Sequence, residues 1–180
     1  MASARDVAAA LRSRFAQDPG VTKIHKLLYY CQGWHLVWTD QPLFPESLEA
    51  WEMGPVVATL WREERHGPIQ DPHPLDEFAT RTVDYVVARY GRLWGSQLIG
   101  KTHQETPYRE VTQGVNAELP HSSLKSFFAQ DPAADQAWYW DSAWLEGQRE
   151  ALEDLRDGRS SSDLSPETFI ASLRALRADV

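Results

Sequence analysis

The chain has 180 residues, 42% of them hydrophobic and 24% charged, with a formal net charge of −8. That is enough apolar material for one sizeable core, alone or with a tail, and the acidity argues against a sequence-independent grip on nucleic acid, which needs a basic surface. No apolar run approaches the roughly 18 residues of a membrane span, and the start MASARDVAAALRSRF, interrupted by Asp6, does not read as a signal peptide.

Val7, Leu11 and Phe15 recur at steps of four and predict an amphipathic helix near residues 4–16, broken by Asp18-Pro19-Gly20. The stretch TKIHKLLYYCQGWHLVWT, residues 22–39, follows. Ile24, Leu27, Leu28, Cys31, His35 and Trp38 form one helix face, and Tyr30, Trp34 and Val37 form a second. Two apolar faces predict a central helix buried from two directions, with Thr22 as N-cap and Pro42 barring continuation. Gly33 lies mid-helix at a cost of about 1 kcal/mol against Ala, which predicts close approach of another backbone. Lys23 and Lys26 lie in the first turn, the wrong end for the helix dipole. They read either as solvated charges or as partners of an acidic group such as Glu49 or Glu52. Cys31, the single cysteine, reads as a small buried hydrophobe, and its solitude points to a reducing, cytoplasmic location.

Asp40 to Pro45 is rich in turn formers. Ser47 to Met53 alternates weakly and predicts a short strand or hairpin arm. Pro55 suits the first turn of a helix with Val56, Val57, Leu60 and Trp61 on its apolar side, stopped by His66-Gly67-Pro68. After a loop at 70–74, Leu75, Phe78, Thr82, Val86, Tyr90 and Leu93 mark a long helix closed near Gly91. A shorter helix runs from Ser96 to His103, and Leu119-Pro120-His121-Ser122 opens another through LKSFF. The expected fold is mainly α, a compact multi-helix domain around the buried helix at 22–39, with a short strand or hairpin near 47–53.

Asp131-Pro132-Ala133-Ala134-Asp135 reads as a hinge, dividing a domain at 1–130 from an acidic tail at 131–180. The tail holds 11 acidic against 5 basic residues, a net of −6 that leaves −2 for residues 1–130. Trp144, Leu145, Gln148, Leu152 and Leu155 fall on one helix face ringed by carboxylates. Phe169, Ile170, Leu173 and Leu176 mark a final helix after Ser165-Pro166.

No chemistry-bearing constellation emerges from the spacing. The six histidines are scattered, with no HExxH and no Cys/His cluster, and there is no GxSxG, P-loop or GxGxxG. Lys26, Tyr30 and Glu49 form the only conceivable proton-transfer trio, and each has an ordinary structural reading. Neither an enzyme nor a cofactor or metal site is expected.

Two resemblances add what spacing does not. KLLYYCQGWHLVWTDQPLFPESLEAWEMGPVVATLWRE resembles the signature of the Panacea family, the SocA-like antitoxin and phage-associated domain. It holds a KLLYYxQGWHL helix at 26–36, a PLF turn at 42–44, an EAWxxGPVV segment at 49–57 and a short helix with Leu60 and Trp61. THQETPY at 102–108 resembles the family's LTHxExPW element, with Tyr108 where tryptophan is common, which reads as a packing variant. The match runs from about 22 to 128, with Lys26, Leu27, Tyr30, Gly33, Trp34, Gly54 and Pro55 as its core motif. Second, WLEGQREALEDLRDGR…SPETFIASL is similar to a short segment that ends many bacterial antitoxins on unrelated folds.

Together these imply an antitoxin that binds and neutralises a toxin encoded beside it, with a protease as a further partner in some relatives. Trp138, Trp140, Trp144, Leu145, Leu152, Leu155 and Phe169 of the tail, with Tyr29 and Trp51 of the domain, are the candidate toxin-binding residues. No membrane and no direct nucleic-acid partner is expected, and self-association stays open. The competing readings are a phage-associated accessory protein, a proteolytic adaptor, or a small-molecule binder with a pocket of Tyr29, Tyr30, Trp34 and Trp51. In another competing reading the tail simply caps the core.

Overall fold

A computed structural model describes residues 1–65, 72–111 and 117–135. The expected stop at His66-Gly67-Pro68 and the tail residues Trp138, Trp140, Trp144, Leu145, Leu152, Leu155 and Phe169 lie outside them. Within the described residues the fold is mainly α, with seven α-helices and a small three-stranded sheet.

Helix α1 (Ala4–Arg12) starts on a reciprocal cap. The Ser3 hydroxyl accepts from the Asp6 N–H, and the Asp6 carboxylate accepts from the Ser3 N–H at 3.1 Å. It ends earlier than the apolar spacing out to Phe15 suggests. Helix α2 (Val21–Thr39) then crosses the whole domain and touches α1, α4, α5, α7 and strand β2. Gly20, at φ +84°, turns the chain into it in place of the expected Thr22 cap, and Asp40 ends it in the left-handed region. Ile24, Leu27, Leu28, Tyr29, Tyr30, Cys31 and Trp34 are all fully buried, which matches a helix with two apolar faces.

Strand β1 (Leu48–Trp51) is the middle of the sheet, paired antiparallel with β2 (Gly54–Val57) and β3 (Ala117–Glu118). The β1–β2 hairpin corrects the expectation that Pro55 begins a helix; α3 (Ala58–Glu64) starts three residues later. Gly54 at φ +90° makes the turn, and β-branched Val56 and Val57 favour the extended backbone. The backbone N of Pro55 faces away from β1, so no ladder hydrogen bond is lost there.

Helix α4 (Glu77–Tyr90) begins on an Asp76 cap bonded to the Ala79 N–H at 2.8 Å and closes at Gly91, as the spacing predicts. Helices α5 (Gly95–Gln104), α6 (Thr106–Glu110) and α7 (His121–Phe128) complete the domain. After α7 the chain makes a 3-10 turn at Pro132–Ala134, where Asp131 accepts from the Ala133 N–H at 2.9 Å. The hinge-like composition at 131–135 does not leave this stretch free. Asp131 pairs with Arg89 at 2.6 Å, Ala133 is buried, and the Trp38 indole donates to the Ala133 carbonyl at 3.1 Å.

Candidate functional site

The core motif of α2 works as a set of fasteners, each side chain holding one other element. His25 and Lys26 hold β2. The Lys26 ammonium donates to the Pro55 carbonyl at 2.9 Å, and the Val57 N–H donates to His25 Nδ1 at 3.2 Å. Both bonds fall on the side of β2 that faces away from β1. Two side chains of a helix thus stand in for the next strand and close an edge that would otherwise present unpaired backbone groups.

Behind this seal, His25 Nε2 lies 3.4 Å from the Glu64 carboxylate, which Arg12 approaches at 2.7 Å. Burial pulls the Glu64 pKa up, but His25 and Arg12 more than offset it and leave it below the usual carboxylate value. Beside Lys26, a Cβ on Gly54 would lie 2.8 Å from Thr102 Oγ1 and 2.9 Å from Lys26 Cε, so only glycine fits that turn. Neither solvent nor an acidic group holds the two lysines: Lys23 donates to the Gly91 carbonyl at 2.6 Å and lies over the Phe15 ring. Both of the readings offered for them are overturned in favour of carbonyl partners.

Two turns on, Gln32 holds the PLF turn. Its Oε1 accepts from the N–H groups of Leu43 and Phe44 at 3.0 and 3.3 Å, and its Nε2 donates to the Phe44 carbonyl at 3.1 Å. His121 Nε2 at the start of α7 lies 3.0 Å from the same nitrogen. A fully buried amide is thereby satisfied at both ends. Gly33 faces the Phe128 ring of α7, so the close approach is a side chain and not the backbone that was expected. Trp34 donates to the Tyr90 hydroxyl at 3.1 Å and stacks on Trp38.

Tyr30 stacks on Tyr90 at 3.9 Å and donates to Glu105 Oε1 at 3.0 Å. Burial raises the Glu105 pKa against the pull of Lys101 and the two neighbouring tyrosine hydroxyls. Burial, and then the Glu105 charge, push Tyr29 and Tyr30 well above the ordinary tyrosine value. The imagined trio of Lys26, Tyr30 and Glu49 is not assembled. Glu49 points out of the sheet and accepts from the Trp51 indole N–H at 2.8 Å.

Tyr108 does more than pack: its hydroxyl donates to the Trp51 carbonyl at 2.7 Å while its ring stacks on His103. Of the domain's two candidate toxin contacts, Tyr29 is wholly buried in the aromatic core with Tyr30 and Trp34. Among the described residues Tyr29, Tyr30 and Trp34 are wholly buried, so they do not line a surface pocket with Trp51. Trp51 is half-buried, edge-on to Trp61 at 5.0 Å. His25, Gln32 and Glu105 were missed in the sequence as fasteners; the signal was a polar residue on a helix face or in a motif otherwise wholly apolar.

Lys26 makes a testable contribution to stability. Burial lowers its pKa from 10.5 to about 7. Between those values the unfolded chain holds a proton that the folded chain lacks, so stability rises with pH across that window. From pH 7 to 8.5 the gain is roughly 1.5 kcal/mol. Burial lowers Lys23 as well, with the same sign, and Cys31, raised well above 9.0, opposes it only as pH nears 9. Denaturant melts of wild type and Lys26→Met at pH 7 and 8.5 should show the wild-type rise shrinking in the variant. An unchanged slope in Lys26→Met would mean that Lys26 keeps its charge in the fold.

Helix α2 is thus bonded to a sheet hairpin, to the PLF turn and, through Glu105, to the THxExPY element. Residues 24–108 match the family described as the antitoxin SocA-like, Panacea domain. No curated protein and no solved structure matches the chain. Among the described residues no helix is long and apolar enough to cross a membrane, and no group of three or more His, Cys, Asp or Glu side chains is placed to hold a metal.

Proposed function

We propose that the protein is the antitoxin of a type II toxin–antitoxin pair, neutralising a toxin encoded by a neighbouring gene through direct, stoichiometric binding. The match of residues 24–108 to the antitoxin SocA-like domain carries this reading. The tail's likeness to the terminal segment of other antitoxins supports it, as does its composition of tryptophans among carboxylates. We read the action as occupancy without turnover. In support, Lys26, Tyr30, Gln32 and Glu105, the polar members of the motif, are committed to backbone groups and to each other inside the fold.

The test is co-expression of the chain with the product of the adjacent gene at graded ratios. Growth protection should follow the ratio and collapse once the antitoxin falls below one equivalent. Full protection at a small molar fraction would sink the occupancy reading and favour turnover, or an adaptor that hands the toxin to a protease and is recycled.

A further inference from the structure

The outer face of the β-hairpin carries a feature that the fold does not use. Glu49 and Trp51 project from β1 on the side opposite buried Leu48 and Ala50. Directly across from Glu49 in register stands Glu118 of β3. Like charges placed opposite each other on one sheet face are destabilising. A local conflict of this kind, kept without compensation inside the fold, is where a function is to be sought. At the hairpin tip Glu52 is exposed and Met53 is 56% exposed. Among the described residues none of these three carboxylates joins an ion pair. The aromatic part is rigid: Glu49 fixes the Trp51 indole by its N–H, Tyr108 holds the Trp51 carbonyl, and Trp61, whose own ring is covered by the Arg65 guanidinium at 4.6 Å, braces the Trp51 ring edge-on.

We propose that this ledge of Trp51 and Met53, edged by Glu49, Glu52 and Glu118, docks a basic segment of the toxin. This rests on the antitoxin reading and adds to it the surface used and the chemistry of what it takes. An arginine or lysine laid over the Trp51 ring gains the cation–π attraction and, beside it, carboxylates that join no ion pair among the described residues. Sign of charge selects this occupant over the two others available. The chain's own tail is acidic, with a net of −6, and would meet the ledge with like charge. A second copy seated on the same face would set Glu49, Glu52 and Glu118 against themselves.

The test uses the full-length chain and the protein encoded by the adjacent gene, titrated calorimetrically at 50 and 300 mM salt. Three variants are compared with wild type: Trp51→Ala, Glu118→Gln and the double Glu52→Gln/Glu118→Gln. Trp51→Ala should weaken binding about thirtyfold or more, as an interface anchor does. The double variant should bind several-fold more weakly at 50 mM and show a flatter salt dependence. Glu118→Gln should at the same time raise the melting midpoint, because it removes the Glu49–Glu118 repulsion. A gain in stability with a loss of binding is the opposite of what a merely structural residue produces. Folded variants that bind with wild-type affinity and wild-type salt slope overturn the ledge and leave the antitoxin reading standing. A wild-type chain that fails to bind the adjacent gene's product overturns both. Glu52→Arg, at an exposed turn that cannot unfold the domain, repeats the test should Trp51→Ala melt early, and undiminished binding there is equally fatal to the proposal.

Discussion

Gly33→Ala should destabilise the domain by about 2 kcal/mol or more, although alanine is the better helix former by about 1 kcal/mol. The reason is the Phe128 ring, which occupies the space a Cβ at Gly33 would need. That ring is not free to swing aside. It packs against Tyr29, Tyr30, Trp34 and Phe127 at centroid distances of 5.7, 6.0, 5.2 and 5.2 Å. Overpacking there must move α7 against α2 or force rings off their rotamers. Gly100→Ala in α5 is the control, since a Cβ there meets nothing within 4 Å, and it should stabilise by up to about 1 kcal/mol. Phe128→Leu should cost less in the Gly33→Ala background than alone, a coupling that a double-mutant cycle reads directly. A Gly33→Ala midpoint at or above wild type would mean that α7 is loosely held and that the aromatic core yields.

The contrast between Gly33 and Gly54 shows what was legible in the sequence and what was not. Periodicity told which faces of residues 22–39 are buried, and two apolar rows correctly announced a helix covered from both sides. It did not tell what those faces meet. Lys26 read as a solvated charge or the partner of an acidic group, and His25 and Gln32 drew no reading of their own, because a helix pattern carries no information on partners distant in the chain. Their partners are Pro55, Val57 and the 43–44 backbone, each a dozen or more residues away or nearly so, and all are backbone groups without a side-chain signature. Pro55 misled for a related reason. Proline fits both the first turn of a helix and an edge strand, and only the tertiary bond from Lys26 decides between them. The alternation of β1, by contrast, was readable, since a period of two places Glu49 and Trp51 outside wherever Leu48 and Ala50 are inside.

These fasteners also explain why one helix can organise the domain. α2 carries two kinds of interaction at once: apolar burial, which is large and non-directional, and hydrogen bonds to specific backbone atoms, which fix where the hairpin and the PLF turn sit. The net worth of each such bond is modest, about 1 kcal/mol, yet removing one partner strands a buried group at a cost of about 1–3 kcal/mol. The position of the Trp51 ledge is therefore set from inside. Lys26 holds β2, Tyr108 holds the end of β1, and the surface they carry between them is rigid before any partner arrives.

A chain ending at Gln130 should be about 2–4 kcal/mol less stable than one ending at Asp135. The five residues between are docked on the core. Asp131 is the ion-pair partner of Arg89, whose guanidinium lies among the rings of Trp34, Tyr85 and Tyr90 at 5.0, 5.8 and 5.5 Å. Without Asp131 that mostly buried cation loses its carboxylate, and without Ala133 the Trp38 indole loses its carbonyl acceptor. Cutting after Asp135 spares both of these contacts and removes the segment with Trp138, Trp140, Trp144, Leu145, Leu152, Leu155 and Phe169. On the antitoxin reading those side chains are hot-spot anchors, so the Asp135 chain should bind the adjacent gene's product at least about a hundredfold more weakly. The residual binding should keep a salt dependence, because Glu49, Glu52 and Glu118 stay in place on the ledge. The two chains together separate folding from recognition in one experiment. An Asp135 chain that is folded and binds at full strength removes the tail from the interface and leaves the ledge to hold the toxin. An Asp135 chain that does not fold makes the tail part of the core, and its tryptophans are then packing.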